Sequence, residues 1–116
     1  MKIMLVDDAP FIVEIERSVL ESAGYEIVAE ASNGEEAVML AERVKPDLIL
    51  MDMVMPKKSG VEAATMILEK APKTRIIAVS TLDQESMVMK AIEAGCESYI
   101  VKPFEKTDIL EAVASK

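Results

Sequence analysis

Four short stretches of the chain are apolar at nearly every position: residues 3–6, 48–51, 76–79 and 99–101. A fifth, Glu26–Ala31, is weaker and interrupted by acids. A strand with one wet face alternates apolar and polar residues, whereas a strand covered on both faces has no polar position to spare. Unalternating runs therefore predict the buried strands of a parallel sheet. Between them, apolar residues recur at helical spacing. Ile12, Ile15 and Val19 share one predicted helix face, as do Ala37, Ala41 and Val44. Val61, Ala64 and Leu68 form a third face, Val88, Ala91 and Ile92 a fourth, and Ile109, Ala112 and Val113 a fifth.

The punctuation agrees with this reading. Ser32 with Glu35, and Ser59 with Glu62, have the spacing of capping boxes, in which side chain and backbone satisfy each other's free N–H groups. Asp83 is a third expected cap. Gly24 and Gly95 mark helix ends, and Pro46, Pro72 and Pro103 fall in connections. Strand and helix thus alternate five times with short joins. The expected fold is α/β, a doubly wound five-stranded parallel sheet flanked by five helices, spanning residues 1–116 as one domain.

Hydropathy and composition narrow the function. No apolar run approaches the ~18 residues of a membrane span. The N-terminal apolar run stops at Asp7-Asp8, too soon for a signal-peptide core. A cytoplasmic protein without membrane insertion is expected. The 116 residues contain one cysteine, Cys96, which excludes an internal disulfide and reads as a small packing residue after Gly95. There is no histidine, which removes Ser-His and Cys-His catalysis and the usual zinc sites. Most of the nine methionines, Met4 and Met51 among them, are expected as core filler. A net charge of -8 repels phosphate backbones, so no direct nucleic-acid binding is expected.

The candidate chemistry lies just past the predicted strand ends, where open α/β sheets bind ligands. Asp7 and Asp8 follow the run at 3–6, Asp52 ends the run at 48–51, Ser80 and Thr81 follow the run at 76–79, and Lys102-Pro103 follows the run at 99–101. Any one of these acids alone would be a helix cap or a solvated charge. Neighbouring strands lie ~4.8 Å apart, so together they crowd carboxylates that need positive charge among them. Lys102 supplies one positive charge; a hard divalent cation such as Mg²⁺ suits a site of few carboxylates and a phosphate oxygen. Asp47 precedes its strand and belongs to the opposite rim.

These residues carry a specific resemblance. Leu5-Val6-Asp7-Asp8, Asp52-Met53-Val54-Met55-Pro56 followed by Gly60, Ser80, Tyr99 and Lys102-Pro103-Phe104 resemble a receiver domain of a two-component response regulator, most of all a stand-alone chemotaxis (CheY-like) regulator. The resemblance covers essentially the whole chain. It implies the flavodoxin-like strand order 2-1-3-4-5, which is the order of the chemotaxis regulators themselves and is adopted from them. It also implies that Asp52 is the nucleophile that becomes an aspartyl phosphate. Asp8, Asp52 and the backbone carbonyl of Val54 would hold Mg²⁺, with Asp7 helping through water. Lys102 would pair with one phosphoryl oxygen and Ser80 with another, while Tyr99 turns inward behind Ser80. The Lys102-Pro103 bond is commonly cis in the family.

The implied partners are a histidine kinase as phosphodonor and a downstream target such as a motor or adaptor component. The chain has no phosphate-binding glycine loop of its own. The switching surface would comprise the helix around residues 87–94, the Tyr99 strand and the last helix. Met87, Met89 and Lys90 are candidates for a docking patch or, equally, for ordinary helix packing.

Departures from the family pattern flank the expected pocket. Val54 and Leu82 stand where many members carry polar groups, which implies slow autodephosphorylation. Thr81 stands where alanine is usual and implies slower phosphoryl entry or an altered swing of Ser80. Rival readings fit less well. A haloacid-dehalogenase-type phosphotransferase needs a second Asp where Val54 stands. A flavin binder needs a hydroxyl- and glycine-rich loop where Asp7-Asp8 stands. A receiver-like adaptor without phosphorylation would lack an Asp or the Lys, and a receiver cut from a longer regulator would have the same motifs.

Overall fold

The structure is a computed structural model that describes residues 1–81 and 84–115. Its elements alternate as β1 (Lys2–Val6), α1 (Pro10–Ser22), β2 (Glu26–Ala31), α2 (Gly34–Val44), β3 (Leu48–Asp52), α3 (Gly60–Lys70), β4 (Arg75–Ser80), α4 (Glu85–Glu93), β5 (Ser98–Val101) and α5 (Lys106–Ala114). The five strands are all parallel in the order β2-β1-β3-β4-β5, as the resemblance implies.

The unalternating runs are explained by the two cores. Met4, Val6, Ile49, Met51, Ile76 and Ala78 point to one face of the sheet, which α2, α3 and α4 cover with small residues such as Ala37, Ala64 and Ala91. Their neighbours Ile3, Leu5, Leu48, Leu50, Ile77 and Val79 point to the other face, covered by Val13 and Leu20 of α1 and Ile109 and Val113 of α5. Alternate residues serve opposite layers, so no strand position is free to be polar. Cys96 is packing material, with burial pushing its thiol up to about 12.

Three expectations need correction. The inward stripe of α1 is Val13, Glu16 and Leu20, one residue on from Ile12, Ile15 and Val19, and Ile15 is 44% exposed. In α4, Ala91 is buried and Val88 half-buried, while Ile92 faces outward. The cap of α2 is Asn33, whose side chain accepts from the Glu36 N–H at 2.9 Å. Glu36 reaches back to the Ser32 N–H, so the pair expected at Ser32 and Glu35 is displaced by one residue. The Ser59–Glu62 capping box forms as expected. Asp83 lies outside the described residues, and the N-cap of α4 is Gln84. Gly24 and Gly95 end their helices with φ of +92° and +106°, which a side chain would resist.

Candidate functional site

Parallel register delivers the candidate residues to one rim. Val6 is paired with Met51, Asp52 with Val79, and Ser80 with Val101, so the ends of β1, β3, β4 and β5 are level. Asp7 lies one residue past β1, and Lys102 one past β5. The loop after β3 turns back tightly: the Gly60 N–H donates to the Met53 carbonyl at 3.0 Å. A Cβ on Gly60 would collide with the Asp52 carbonyl and the Met53 backbone, so only glycine permits this closure beside Asp52.

Asp7, Asp8 and Asp52 each offer a carboxylate oxygen, and the three lie within 4.8 Å of one another. Asp7 and Asp52 are buried and Asp8 is exposed. At that separation, and an effective dielectric near 20, each pair of charges repels by about 3.5 kcal/mol. Lys102 offsets part of this. Its Nζ donates to Asp7 Oδ2 at 2.6 Å and lies 3.6 Å from Asp52 Oδ2. The second Asp7 oxygen accepts from the Ala9 N–H at 2.9 Å, and Asp52 Oδ1 accepts from the Val54 N–H at 3.2 Å. The Lys102-Pro103 bond is cis.

The electrostatics of the site are those of an under-neutralised cluster. Burial holds the Asp52 carboxyl above the ordinary aspartate range. Lys102 and the Val54 N–H pull it down, and Asp7 and Asp8 push it up. Burial works against the Lys102 charge, but the Asp7 hydrogen bond and the charges of Asp52, Asp7 and Glu16 outweigh it and raise the ammonium above the usual lysine value. One lysine faces three carboxylates. An oxygen-rich pocket with one exposed carboxylate and surplus negative charge is the donor set that a hard divalent cation requires, so these residues fit Mg²⁺.

The other expected residues differ in their burial. Ser80 is buried at the end of β4, and Tyr99 is half-buried against the α2–α3–α4 core. Val54 is 51% exposed and Thr81 is exposed at the rim; Leu82 lies outside the described residues. Asp47 is at the opposite rim, where Oδ2 accepts from the Lys2 N–H at 2.8 Å. Met89 and Lys90 are exposed on α4 and Met87 is half-buried. A cleft of about 590 Å³ opens between β5 and α5, lined by Glu97, Tyr99, Asp108 and Glu111 among others.

Glu16 was not expected. It is 1% exposed, its Oε1 has no hydrogen-bond partner among the described residues, and it is coupled to Asp7, Lys102 and Asp52. Its signal in the sequence is the triplet Val13, Glu16, Leu20, a helical stripe with an acid at its centre.

No described helix is long and apolar enough to cross a membrane. The response regulator receiver domain model matches residues 3–114. The chemotaxis protein CheY of Thermotoga maritima is 39% identical, over 97% of this chain and 93% of that protein. The transcriptional regulatory protein PdtaR of Mycobacterium tuberculosis is 40% identical over 97% of this chain, which spans 54% of it. Among solved structures, the CheX–CheY–BeF3–Mg complex of Borrelia burgdorferi superimposes with a TM-score of 0.94 at 30% identity, covering 100% of this chain and 90% of that one. Fold, rim and relatives converge: the chain belongs to the response regulator receiver domain family and is CheY-like.

Proposed function

We propose that this chain is a phosphorylation-operated signalling switch in which Asp52 accepts a phosphoryl group from a histidine kinase or a small acyl phosphate. The observation that carries the reading is the Lys102 ammonium bridging Asp7 and Asp52 inside a cluster of three carboxylates. An Asp52 oxygen forms the new bond to phosphorus as the bond from phosphorus to the donor nitrogen or acyl oxygen breaks, and the donor keeps that electron pair. Lys102 steadies one equatorial oxygen, and Ser80 another. Asp7, Asp8, Asp52 and the Val54 carbonyl are the groups assigned to Mg²⁺, which supplies charge neutralisation when bound.

The new group carries roughly -1.5 to -2 charges in place of the single charge of the Asp52 carboxylate. Drawing the Ser80 hydroxyl toward it biases the loop after β4 and the space behind, into which Tyr99 turns. The signal then leaves through α4, β5 and α5, to a protein target. Similarity to CheY supports a cytoplasmic role in chemotaxis or motility. Similarity to PdtaR, of which this chain spans about half, favours a second reading: a receiver module of a longer regulator.

Mass spectrometry after incubation with Mg²⁺ and acetyl phosphate tests the core of this. One phosphoryl group on the wild type and none on Asp52→Asn is the expected result; equal modification of both sinks the assignment of Asp52. For output, affinity for a candidate motor component or for an effector segment, measured with and without phosphorylation, separates the two readings.

A further inference from the structure

The loop between β3 and α3, residues 53–59, carries the Val54 carbonyl, and three contacts hold it. Two are local: the Val54 N–H donates to Asp52 Oδ1, and the Gly60 N–H closes the loop on the Met53 carbonyl. The third comes from another element. Gly34, the first residue of α2, is buried against Lys58. A Cβ built on it would fall onto the Lys58 carbonyl oxygen, 2.6 Å from the carbonyl carbon and 2.7 Å from the Lys58 Cβ. Backbone atoms cannot give way as a flexible side chain would, so one methyl group at position 34 would displace the loop or the helix. Positive φ among the glycines is confined to Gly24 and Gly95. At position 34 it is the space, not the backbone angle, that demands glycine.

The wall that Lys58 meets is stiff. Asn33 accepts from the Glu36 N–H at 2.9 Å, and the Glu36 carboxylate accepts from the Ser32 N–H and hydroxyl at 2.7 and 2.8 Å. The same segment is tied to the other side of the pocket, where the Ala31 carbonyl accepts from the Asp7 N–H at 3.0 Å. Residues 31–34 thus run from Asp7 to Lys58, between the loops after β1 and β3, without adding a carboxylate to the cluster. Lys57, next to the contact, has φ of +67°, which a lysine holds only where its neighbours fix the chain. Mg²⁺ tolerates little spread in its donors, asking for near-octahedral oxygens at about 2.1 Å. A carbonyl on a drifting loop would hold it poorly.

We propose that residues 31–34 brace the cation site and that Gly34 is its positioning residue: the close seat of Lys58 on Gly34, with Ala31 fastened to Asp7, sets the distance from the Asp7-Asp8 loop to the Val54 carbonyl. The inference rests on the phosphoacceptor reading, which assigns Asp7, Asp8, Asp52 and that carbonyl to Mg²⁺. Gly34 has no side chain and touches neither cation nor phosphorus. It acts through the Lys58 backbone.

The test titrates Mg²⁺ into unphosphorylated wild type, Gly34→Ala and Gly24→Ala, following the backbone amide resonance of Asp8, with thermal unfolding and acetyl phosphate labelling in parallel. Gly34→Ala is expected to bind Mg²⁺ about ten-fold more weakly. Its phosphorylation should be slow at Mg²⁺ concentrations near the wild-type dissociation constant and return to within about two-fold of wild type at saturation. Gly24 lies at the opposite rim, where a Cβ meets nothing within 4 Å but φ is +92°. Gly24→Ala is expected to unfold at a lower temperature and to keep its Mg²⁺ affinity within about two-fold of wild type. The inference is overturned if Gly34→Ala binds Mg²⁺ as wild type does, or if Gly24→Ala loses as much affinity as Gly34→Ala. Should Gly34→Ala not fold, Asn33→Ala takes its place: without its cap the wall yields, affinity is expected to fall about three-fold, and an unchanged value overturns the inference. A wild type that neither binds Mg²⁺ nor takes up a phosphoryl group overturns the phosphoacceptor reading and this inference together, whereas equal Mg²⁺ affinity in all three proteins overturns this inference alone.

Discussion

Arg75 and Lys102 are cations at opposite ends of the sheet, and they live in opposite circumstances. Arg75, where β4 begins, donates twice to Glu97, at 2.6 and 2.9 Å, and also to the carbonyls of Ala112, Val113 and Ser115 at the end of α5. Beside it Asp47 accepts from the Lys2 backbone. Here Arg75 pairs one-for-one with Glu97, and its further bonds fasten α5 to the sheet. Lys102, just past β5, stands instead against Asp7 and Asp52, in a cluster that also includes Asp8. Neutral pairing marks a structural rim, and unbalanced crowding marks the rim proposed to take up the phosphoryl group. The same residue types serve both purposes, and their stoichiometry decides which.

The sharpest way to break that contrast is to exchange consequences between the rims. Asp52→Asn is expected to abolish phosphoryl uptake from acetyl phosphate, while Arg75→Ala leaves it within about two-fold of wild type. Arg75→Ala should instead lower unfolding stability by roughly 2–4 kcal/mol in urea titrations, because several charge-assisted bonds are lost and Glu97 is left unpaired. An Arg75→Ala variant that phosphorylates poorly but unfolds normally would erase the distinction.

Next in size is Lys102→Ala. Removing the ammonium that faces Asp7 and Asp52 should slow phosphorylation by about 10²–10³-fold, read by stopped reactions and mass spectrometry. Stability is expected to respond differently, since the remaining carboxylates repel one another and raised Mg²⁺ concentrations should restore the unfolding temperature.

A pH series sharpens the comparison through Glu16. Its folded-state value, about 8, lies above the ordinary 4.5. Between those values the native protein retains a proton that the unfolded chain has released, so stability falls as pH rises and the loss is complete above the folded value. Glu16→Leu lacks this liability. Its stability advantage over wild type should therefore widen from about pH 5 to about pH 9, by roughly 2–5 kcal/mol. A pH-independent gap would mean that Glu16 is solvated in solution.

The smallest expected effect concerns the apolar flank. Val54 is half exposed at the mouth of the pocket, and the double change Val54→Asn with Leu82→Glu should hasten loss of the phosphoryl group by about ten-fold, by giving an attacking water polar contacts. Unchanged decay of the phosphorylated species would remove the explanation offered for slow autodephosphorylation.

What the sequence reveals here follows from which forces are one-dimensional. The strands are readable because Met4 and Val6 serve one layer while Ile3 and Leu5 serve the other, and a run that must satisfy both leaves a gapless apolar signature. The convergence of Asp7, Asp52 and Lys102 is readable because parallel register puts the ends of successive strands on one side. Helix α1 is misread for the same reason. Ile12, Ile15 and Val19 form the more apolar stripe, yet the helix buries Val13, Glu16 and Leu20 and leaves Phe11 64% exposed. Only three-dimensional packing selects between stripes one residue apart. The cap of α2 shifts likewise, because Asn33 and Glu36 repeat the spacing of Ser32 and Glu35 and the chain's exit from β2 favours the later pair. No local pattern in the sequence shows that Glu16 is buried within electrostatic reach of the pocket, since that follows only when α1 lies against the sheet.

The methionines next to Asp52 have a practical consequence. The chain has no tryptophan, so an indole reporter is absent, but Met51 and Met53 sit on either side of Asp52 and are sealed from solvent, while Met89 stands open on α4. Isotope-labelled thioether methyls at these three places form a built-in spectrometer, with two detectors beside Asp52 and one on α4. The arrival of a message and its departure can thus be timed separately in a single unmodified molecule.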